Sequence, residues 1–370
     1  MGGLGVHVAA VADEQARRGH DVWVVTTGSR LRRRGGVSVI GAGPRPEAGE
    51  GPFLWELERL GGRMVARTLG MLGKAPASNP TVIHAHDWLV ASAAFRLAAE
   101  WRAPLVVTFH ATELGRRGYA AAADPSLAAI AGWERRLAVG ADEVVVLGES
   151  GALEARRLGA PGPHVIPGGF DGRRAPLDRR PAPRRLLTAA RLVPEKGLDV
   201  LLEALSELDG DVTLEIAGEG PKRADLEAQR DRLGLGDRVT FWGRLPPSRL
   251  HERRRTASVY VQPSLYEPFG LAALDAVVEG MPSCLSRVGG LAEWAADVPV
   301  AWVNPGDRDD LARQLARCLT GNAFDAQESR RRLDHLTWEH VAGRLEAVYQ
   351  AALGAPAKGE GLWPAGLPST

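Results

Sequence analysis

The 370-residue chain has two cysteines, Cys284 and Cys318, and neither falls in a metal or redox spacing. That scarcity excludes a disulfide-stapled scaffold and fits a reducing cytoplasm. Charge imbalance is equally scarce: 46 Lys plus Arg against 45 Asp plus Glu leave a formal net charge of +1. A chain so balanced has no general pull toward nucleic acid or an anionic membrane. No apolar run approaches the roughly 20 residues of a membrane span, and no secretory signal opens the chain. The expected class is a soluble cytoplasmic protein. The arginine runs Arg30-Leu31-Arg32-Arg33-Arg34 and Arg253-Arg254-Arg255 are short. They read most simply as solvated faces, the first also as a surface for an acidic acceptor or lipid head groups.

The length suits two domains better than one. Strand-like and helix-like stretches alternate throughout, which predicts parallel doubly wound sheets with their active loops at the strand carboxyl ends. Strands are predicted near residues 22–26, 82–84, 105–108, 143–147 and 165–166 in the first half. In the second half they are predicted near 186–189, 212–217, 239–242, 259–262, 282–286 and 300–303. The Arg- and Pro-rich stretch 173–185 between them lacks periodicity and reads as a linker. The expected organisation is a first domain over 1–172, a second over 186–337, a last helix over 338–353 and a disordered Pro- and Gly-rich tail over 354–370.

Residues 263–275, Pro-Ser-Leu-Tyr-Glu-Pro-Phe-Gly-Leu-Ala-Ala-Leu-Asp, follow the strand-like Val259-Tyr260-Val261 and lead into an Ala- and Leu-rich helix. A helix opening just beyond a strand presents unpaired N–H groups and the positive end of its dipole, which suit a phosphate. Glu267 at that mouth cannot bind phosphate, but it can accept hydrogen bonds from sugar hydroxyls. The plainer alternative is an incidental acid near a helix N-terminus, where acids are favoured anyway. A second signature shifts the balance. Arg191 and Lys196 lie on one loop between an apolar strand and a helix. They can converge on one diphosphate, the arginine as a fork and the lysine as a point charge. The alternative is two solvated cations. His84, His86 and Asp87 invite a metal reading, but no distant third ligand set accompanies them, and no metal is assigned.

Together these segments resemble the retaining glycosyltransferases of family 4, which have the two-domain GT-B fold. The resemblance covers nearly the whole chain: Gly2-Gly3-Leu4-Gly5, Arg18 to Val22, His84-Ala85-His86-Asp87-Trp88, Thr108-Phe109-His110-Ala111, Val165 to Asp171, Arg191 to Gly197, Ala217 to Pro221, the Glu267 segment, and Gly289 to Glu293. It implies two Rossmann-like domains facing a cleft, the first binding an acceptor and the second a nucleoside diphosphate sugar, with the last helix crossing back to the first domain. It also implies metal-independent hexose transfer with retention and no cofactor beyond the donor.

By the resemblance, Arg191 and Lys196 hold the leaving diphosphate, aided by backbone N–H groups at Phe269, Gly270 and Leu271. Glu267 holds donor-sugar hydroxyls, and His110 lies beside the donor sugar without acting as a proton-transfer base. Gly3 contacts the donor phosphate or the acceptor. Gly218 and Leu245 mark the loops that set base selectivity. Asp275 stands eight positions after Glu267, where the family usually has a glutamate that binds ribose. The shorter side chain puts that contact in question. Likeness to the glycogen and starch synthase branch makes an α-glucan one acceptor, with a small metabolite or glycolipid as others. Relatives carry an apolar strand ahead of the glycine loop, whereas here Gly2-Gly3 follows Met1. The first domain is therefore expected to lack its first strand, and the natural protein to begin upstream. A non-catalytic sugar-nucleotide binder is the competing reading.

Overall fold

The computed structural model describes residues 2–28, 31–44, 53–73, 80–116, 126–173, 178–320 and 326–355. The chain forms two compact α/β units. One holds residues 4–117, 121–167 and 339 onward, the other chiefly 168–338.

The N-terminal unit runs α1 (Gly3–Arg17), β1 (Val22–Thr26), β2 (Arg32–Arg34), β3 (Val37–Gly41), α2 (Phe53–Leu72), β4 (Ile83–His86), α3 (Ala91–Trp101), β5 (Leu105–Phe109), α4 (Glu113–Arg116), α5 (Ser126–Gly140), β6 (Glu143–Val146), α6 (Glu149–Leu158) and β7 (His164–Val165). Its strands form two sheets, β1-β3-β2 and β4-β5-β6-β7, and no strand precedes α1 among the described residues. The second sheet is all parallel. Its central strand β5 is buried along its whole length, as a strand covered by helices on both faces must be. Leu105, Val107, Phe109, Trp133, Leu137 and Val146 share one core cluster there.

In the first arginine run, of which Arg30 lies outside the described residues, Arg32 and Arg33 are exposed, as expected of a solvated face. Arg32 to Arg34 form the edge strand β2, antiparallel to β3. Neither strand was apparent in the sequence, because β2 has no apolar alternation. Exposed arginines such as Arg32 and Arg33 on an edge strand deter further pairing.

The C-terminal unit runs β8 (Arg185–Ala189), α7 (Leu198–Ser206), β9 (Thr213–Ala217), α8 (Arg223–Arg232), β10 (Val239–Gly243), α9 (Pro247–Thr256), β11 (Val259–Gln262), α10 (Leu271–Val278), β12 (Ser283–Ser286), α11 (Gly289–Trp294), β13 (Ala301–Val303), α12 (Arg308–Thr320) and α13 (Ala326–Arg332). All six strands are parallel, in the order β10-β9-β8-β11-β12-β13. The order reverses direction between β8 and β11, so the loops leaving those two strands part to either side of a crevice, the usual ligand position in such sheets. Leu186, Leu201, Leu205, Leu214, Ile216 and Val259 are among its fully buried core.

The described part of the 173–185 stretch is fastened down. Arg180 N–H and Ala182 N–H donate to Arg255 and Thr256 carbonyls, and Arg179 donates to the carbonyls of Gly280 and Ala257. The last helix, α14 (Trp338–Gly354), groups with the N-terminal unit from Glu339 on. Glu346 there accepts two bonds from Arg18, at 2.7 and 2.6 Å, and Gln15 reaches Tyr349 at 2.7 Å. Hydrogen bonding from Arg18 holds the Glu346 carboxyl down at about 2.

Candidate active site

The loops after β8 and β11 carry Arg191, Lys196 and Glu267, and backbone contacts lock the two loops together. The Glu195 carbonyl accepts N–H bonds from Leu265 and Tyr266 at 2.9 and 3.2 Å. Gly197 has φ +60°, and a Cβ there would lie 2.2 Å from the Pro263 carbonyl oxygen. Only glycine tolerates both that conformation and that approach.

The result is an ion pair: Lys196 Nζ stands 2.8 Å from Glu267 Oε2, with both side chains largely buried. Gln262 Nε2 and Ser264 Oγ approach the same oxygen at 3.3 and 3.2 Å, and Tyr260 donates to Gln262 Oε1 at 2.7 Å. These donors converge on Oε2, and Oε1 takes none of them. The carboxylate is thus anchored by one oxygen and presents the other, a geometry suited to accepting a hydroxyl.

Glu267 immediately precedes the turn into α10. Ala273 and Leu274 N–H donate to the Gly270 carbonyl, so the N–H groups of Gly270, Leu271 and Ala272 precede the first intrahelical bonds. The turn is held from behind by α11. Trp294 Nε1 donates to the Phe269 carbonyl at 2.7 Å, and Gly290 N–H donates to the Glu267 carbonyl at 3.0 Å. A side chain on Gly290 would meet the Pro268 carbonyl at 2.2 Å, which explains the glycine in the 289–293 segment.

Arg191 lies five residues before Lys196 on the same loop and is exposed. Gly218 N–H donates to Gly243 at 2.8 Å, joining the two loops singled out for the base; Leu245 follows β10 and is half-buried. Asp275, on α10, has Arg254 as its neighbour, with Arg254 Nη1 3.7 Å from Asp275 Oδ2.

Arg254 corrects the reading of residues 253–255 as a solvated face. It is 4 % exposed, and its guanidinium also pairs with Glu279, one bond being 2.9 Å. Helix α9 turns this one arginine inward toward α10, where two carboxylates compensate its burial. Nothing local in the sequence distinguishes it from Arg253 or Arg255.

Gly3 opens α1, and in the N-terminal unit His110 follows β5. His110 belongs to a cluster with His7, His84 and His86. His86 Nδ1 lies 3.0 Å from His110 Nε2, the His7 ring meets His110 edge-on at 4.7 Å, and His84 and His86 rings lie 4.3 Å apart. Burial keeps all four imidazoles neutral, pulling His7 down to about 3 and His86 to about 4, and His84 and His110 well down. Beside them the Asp87 carboxylate accepts the His110 backbone N–H at 2.7 Å, and burial raises its carboxyl to about 7. From the sequence, His86 and Asp87 read as a strand end lining a cleft, with no catalytic or binding role assigned. The signal was their shared position at the end of β4, one strand away from His110.

Among the described residues no group of three or more His, Cys, Asp or Glu is arranged to hold a metal ion, and no helix is long and apolar enough to cross a membrane.

Residues 1–174 match the pattern for glycosyltransferase family 4, and residues 171–335 match that for glycosyl transferases group 1. The chain is 34% identical to a glycogen synthase of Mycobacterium tuberculosis over 95% of its own length and 92% of the relative's. It is 31% identical to a D-inositol 3-phosphate glycosyltransferase of Mycolicibacterium gilvum, over 95% of this chain and 85% of that one. Among solved structures, sucrose-phosphate synthase from Thermosynechococcus elongatus superposes with a TM-score of 0.81 at 24% identity, covering 94% of this chain and 93% of that one. The parallel sheets, their order and these matches over nearly the full length establish that the chain belongs to the family 4 glycosyltransferases and has the GT-B fold.

Proposed function

We propose that this protein transfers a hexose from a nucleoside diphosphate sugar to an α-glucan acceptor, with retention at the anomeric carbon and without a metal ion. The observation that carries the reading is the Lys196–Glu267 pair at the sheet's reversal point, ahead of the α10 N-terminus. It places one cation, one carboxylate and a set of backbone N–H groups on adjoining loops. The α-glucan is supported by the 34% identity to a glycogen synthase. The cytoplasm is the proposed compartment, in keeping with the two free thiols.

In the proposed reaction the bond from the anomeric carbon to the diphosphate oxygen breaks, and a bond to the acceptor oxygen forms on the same face. The acceptor's proton passes to the departing phosphate oxygen. Lys196 and Arg191 compensate the charge that develops on the diphosphate, with the N–H groups of Phe269, Gly270 and Leu271 adding fixed dipoles. Glu267 fixes the hexose through hydroxyls reaching Oε1. His110 contacts the same sugar, Asp275 the ribose, and the loops around Gly218 and Leu245 the base. Gly3 contacts donor phosphate or acceptor.

The test is a donor screen with ADP-glucose and UDP-glucose on short α-glucans, read by mass spectrometry, with NMR of the product's anomeric configuration. A longer α-linked glucan formed equally well in EDTA supports every part of the reading. An inverted product, or activity lost to EDTA and restored by a divalent cation, overturns retention or metal independence respectively. Donor binding without transfer to any acceptor favours the non-catalytic binder.

A further inference from the structure

We propose that His86 and Asp87, side by side at the end of β4, are positioning residues that fix the imidazole of His110, one through its ring and the other through its backbone. This rests on the reading that His110 meets the donor sugar.

The ring contact leaves one polar atom of His110 for a ligand. Its Nε2 is engaged by His86 Nδ1 at 3.0 Å, and the His7 ring packs edge-on against it. Both partners of the 3.0 Å contact are neutral imidazoles, so one N–H donates and the other nitrogen accepts. The contact thereby couples the tautomer of His110 to that of His86, and with it whether Nδ1 donates to a sugar hydroxyl or accepts from one.

The neighbouring histidine shows that such ordering is built into this unit. Gln15 Nε2 donates to Tyr349 Oη, which lies 2.7 Å from His84 Nδ1, and His84 Nε2 lies 2.7 Å from Thr108 Oγ1, so both ring nitrogens of His84 are engaged and its ring orientation is fixed. Thr108 lies two residues before His110 on β5.

The backbone contact comes with strain. Asp87 has φ 59° and ψ 174°, a region otherwise occupied almost only by glycine. It is held there by its own N–H, which donates to the Thr108 carbonyl at 3.0 Å, and by its carboxylate on the His110 N–H at 2.7 Å. A glycine would occupy this conformation at ease. Keeping an aspartate in it gives the turn after β5 an acceptor that glycine cannot supply.

Two substitutions separate positioning from mere structural support. Asp87→Gly relieves the backbone and removes the acceptor, so its thermal midpoint is expected within about 5 °C of wild type. Turnover is expected to fall at least about tenfold, with donor KM changed less than threefold. Asp87→Asn keeps an acceptor oxygen and is expected to recover most of that turnover. His86→Ala is read by the ¹⁵N shifts of the His110 ring in the ligand-free full chain: one tautomer in wild type, a mixture in the variant. An unchanged His110 tautomer in His86→Ala, or an Asp87→Gly variant with wild-type turnover, overturns the proposal. A wild-type rate in His110→Ala would instead overturn the underlying reading of His110, leaving the tautomer result to stand by itself.

Discussion

Lys196 Nζ and Glu267 Oε2 are 2.8 Å apart, joined across the crevice between β8 and β11 by loops that are 71 residues apart in sequence. Each charge compensates the other's burial, so the site is balanced before any donor binds. A diphosphate reaching the α10 N-terminus would draw on the same lysine.

Lys196→Ala is therefore expected to lower kcat by about 10²–10³-fold, the usual loss when one group stabilising a developing charge is removed. Single-turnover kinetics at saturating donor would check this, with circular dichroism to confirm folding. Near-normal turnover in a folded variant would remove Lys196 from the proposed mechanism.

Asp275→Glu is expected to leave transfer intact and to tighten donor binding by up to about tenfold, because the longer side chain gains roughly one carbon–carbon bond of reach. Its partner behaves differently. Arg254→Met strands Glu279 in a buried position and is expected to cost about 3–5 kcal/mol of stability. Isothermal titration with the donor checks the first variant and denaturant unfolding the second. Lost donor binding in Asp275→Glu would overturn its assignment to the ribose.

Gly218 has φ +153°, and a Cβ there would lie 1.8 Å from the Ala190 carbonyl oxygen. Gly218→Ala must push apart the loops after β8 and β9, and is expected to cost at least about 2 kcal/mol. Gly210→Ala, where nothing lies within 4 Å, is the matched control and should stay close to wild type. Equal thermal midpoints for the two variants would show that the loops yield without cost.

Stability should peak at a pH of about 6.5–7, by linkage. The histidines His7, His84, His86 and His110 have folded pKa values depressed below 6.5, so acidification protonates them first in the unfolded chain and stability falls. The carboxyls Asp87 and Glu134 have the opposite shift, raised by burial to about 7 and about 8 from 3.8 and 4.5. They keep protons that the unfolded chain releases, so their effect lowers stability as pH rises toward those values. The four histidines outweigh the two carboxyls below about pH 6, and the carboxyls prevail above about pH 7, once the unfolded imidazoles have lost their protons. Thermal midpoints at pH 5, 6.5 and 8.5 check this, and a midpoint highest at pH 5 would overturn it.

How far the site was legible depends on how local each signal is. The loop carrying Arg191 and Lys196 and the turn carrying Glu267 were both readable, because each is bounded by its own apolar strand and helix. The Ser264 and Gln262 bonds to Glu267 were not, although both residues flank it, since a polar end to a buried strand looks like any strand end. Strand β3, Val37–Gly41, was missed because it follows directly on β2, whose three arginines carry no apolar alternation. The inward turn of Arg254 was missed because the three-arginine run shows no periodicity that marks one of them.

The sequence by itself determined the order of βα units, the loops at the strand carboxyl ends and the residue types offered there, because hydrophobic period and Gly/Pro punctuation act over a few neighbouring residues. Only the tertiary structure decided which of those residues meet: Lys196 with Glu267, Asp275 with Arg254, and His86 and Asp87 with His110. Those pairings follow from strand order, from backbone bonds such as those to Glu195, and from glycines that let two loops touch. A contact between distant segments is set by how whole elements pack, and the residues within any one segment do not encode it.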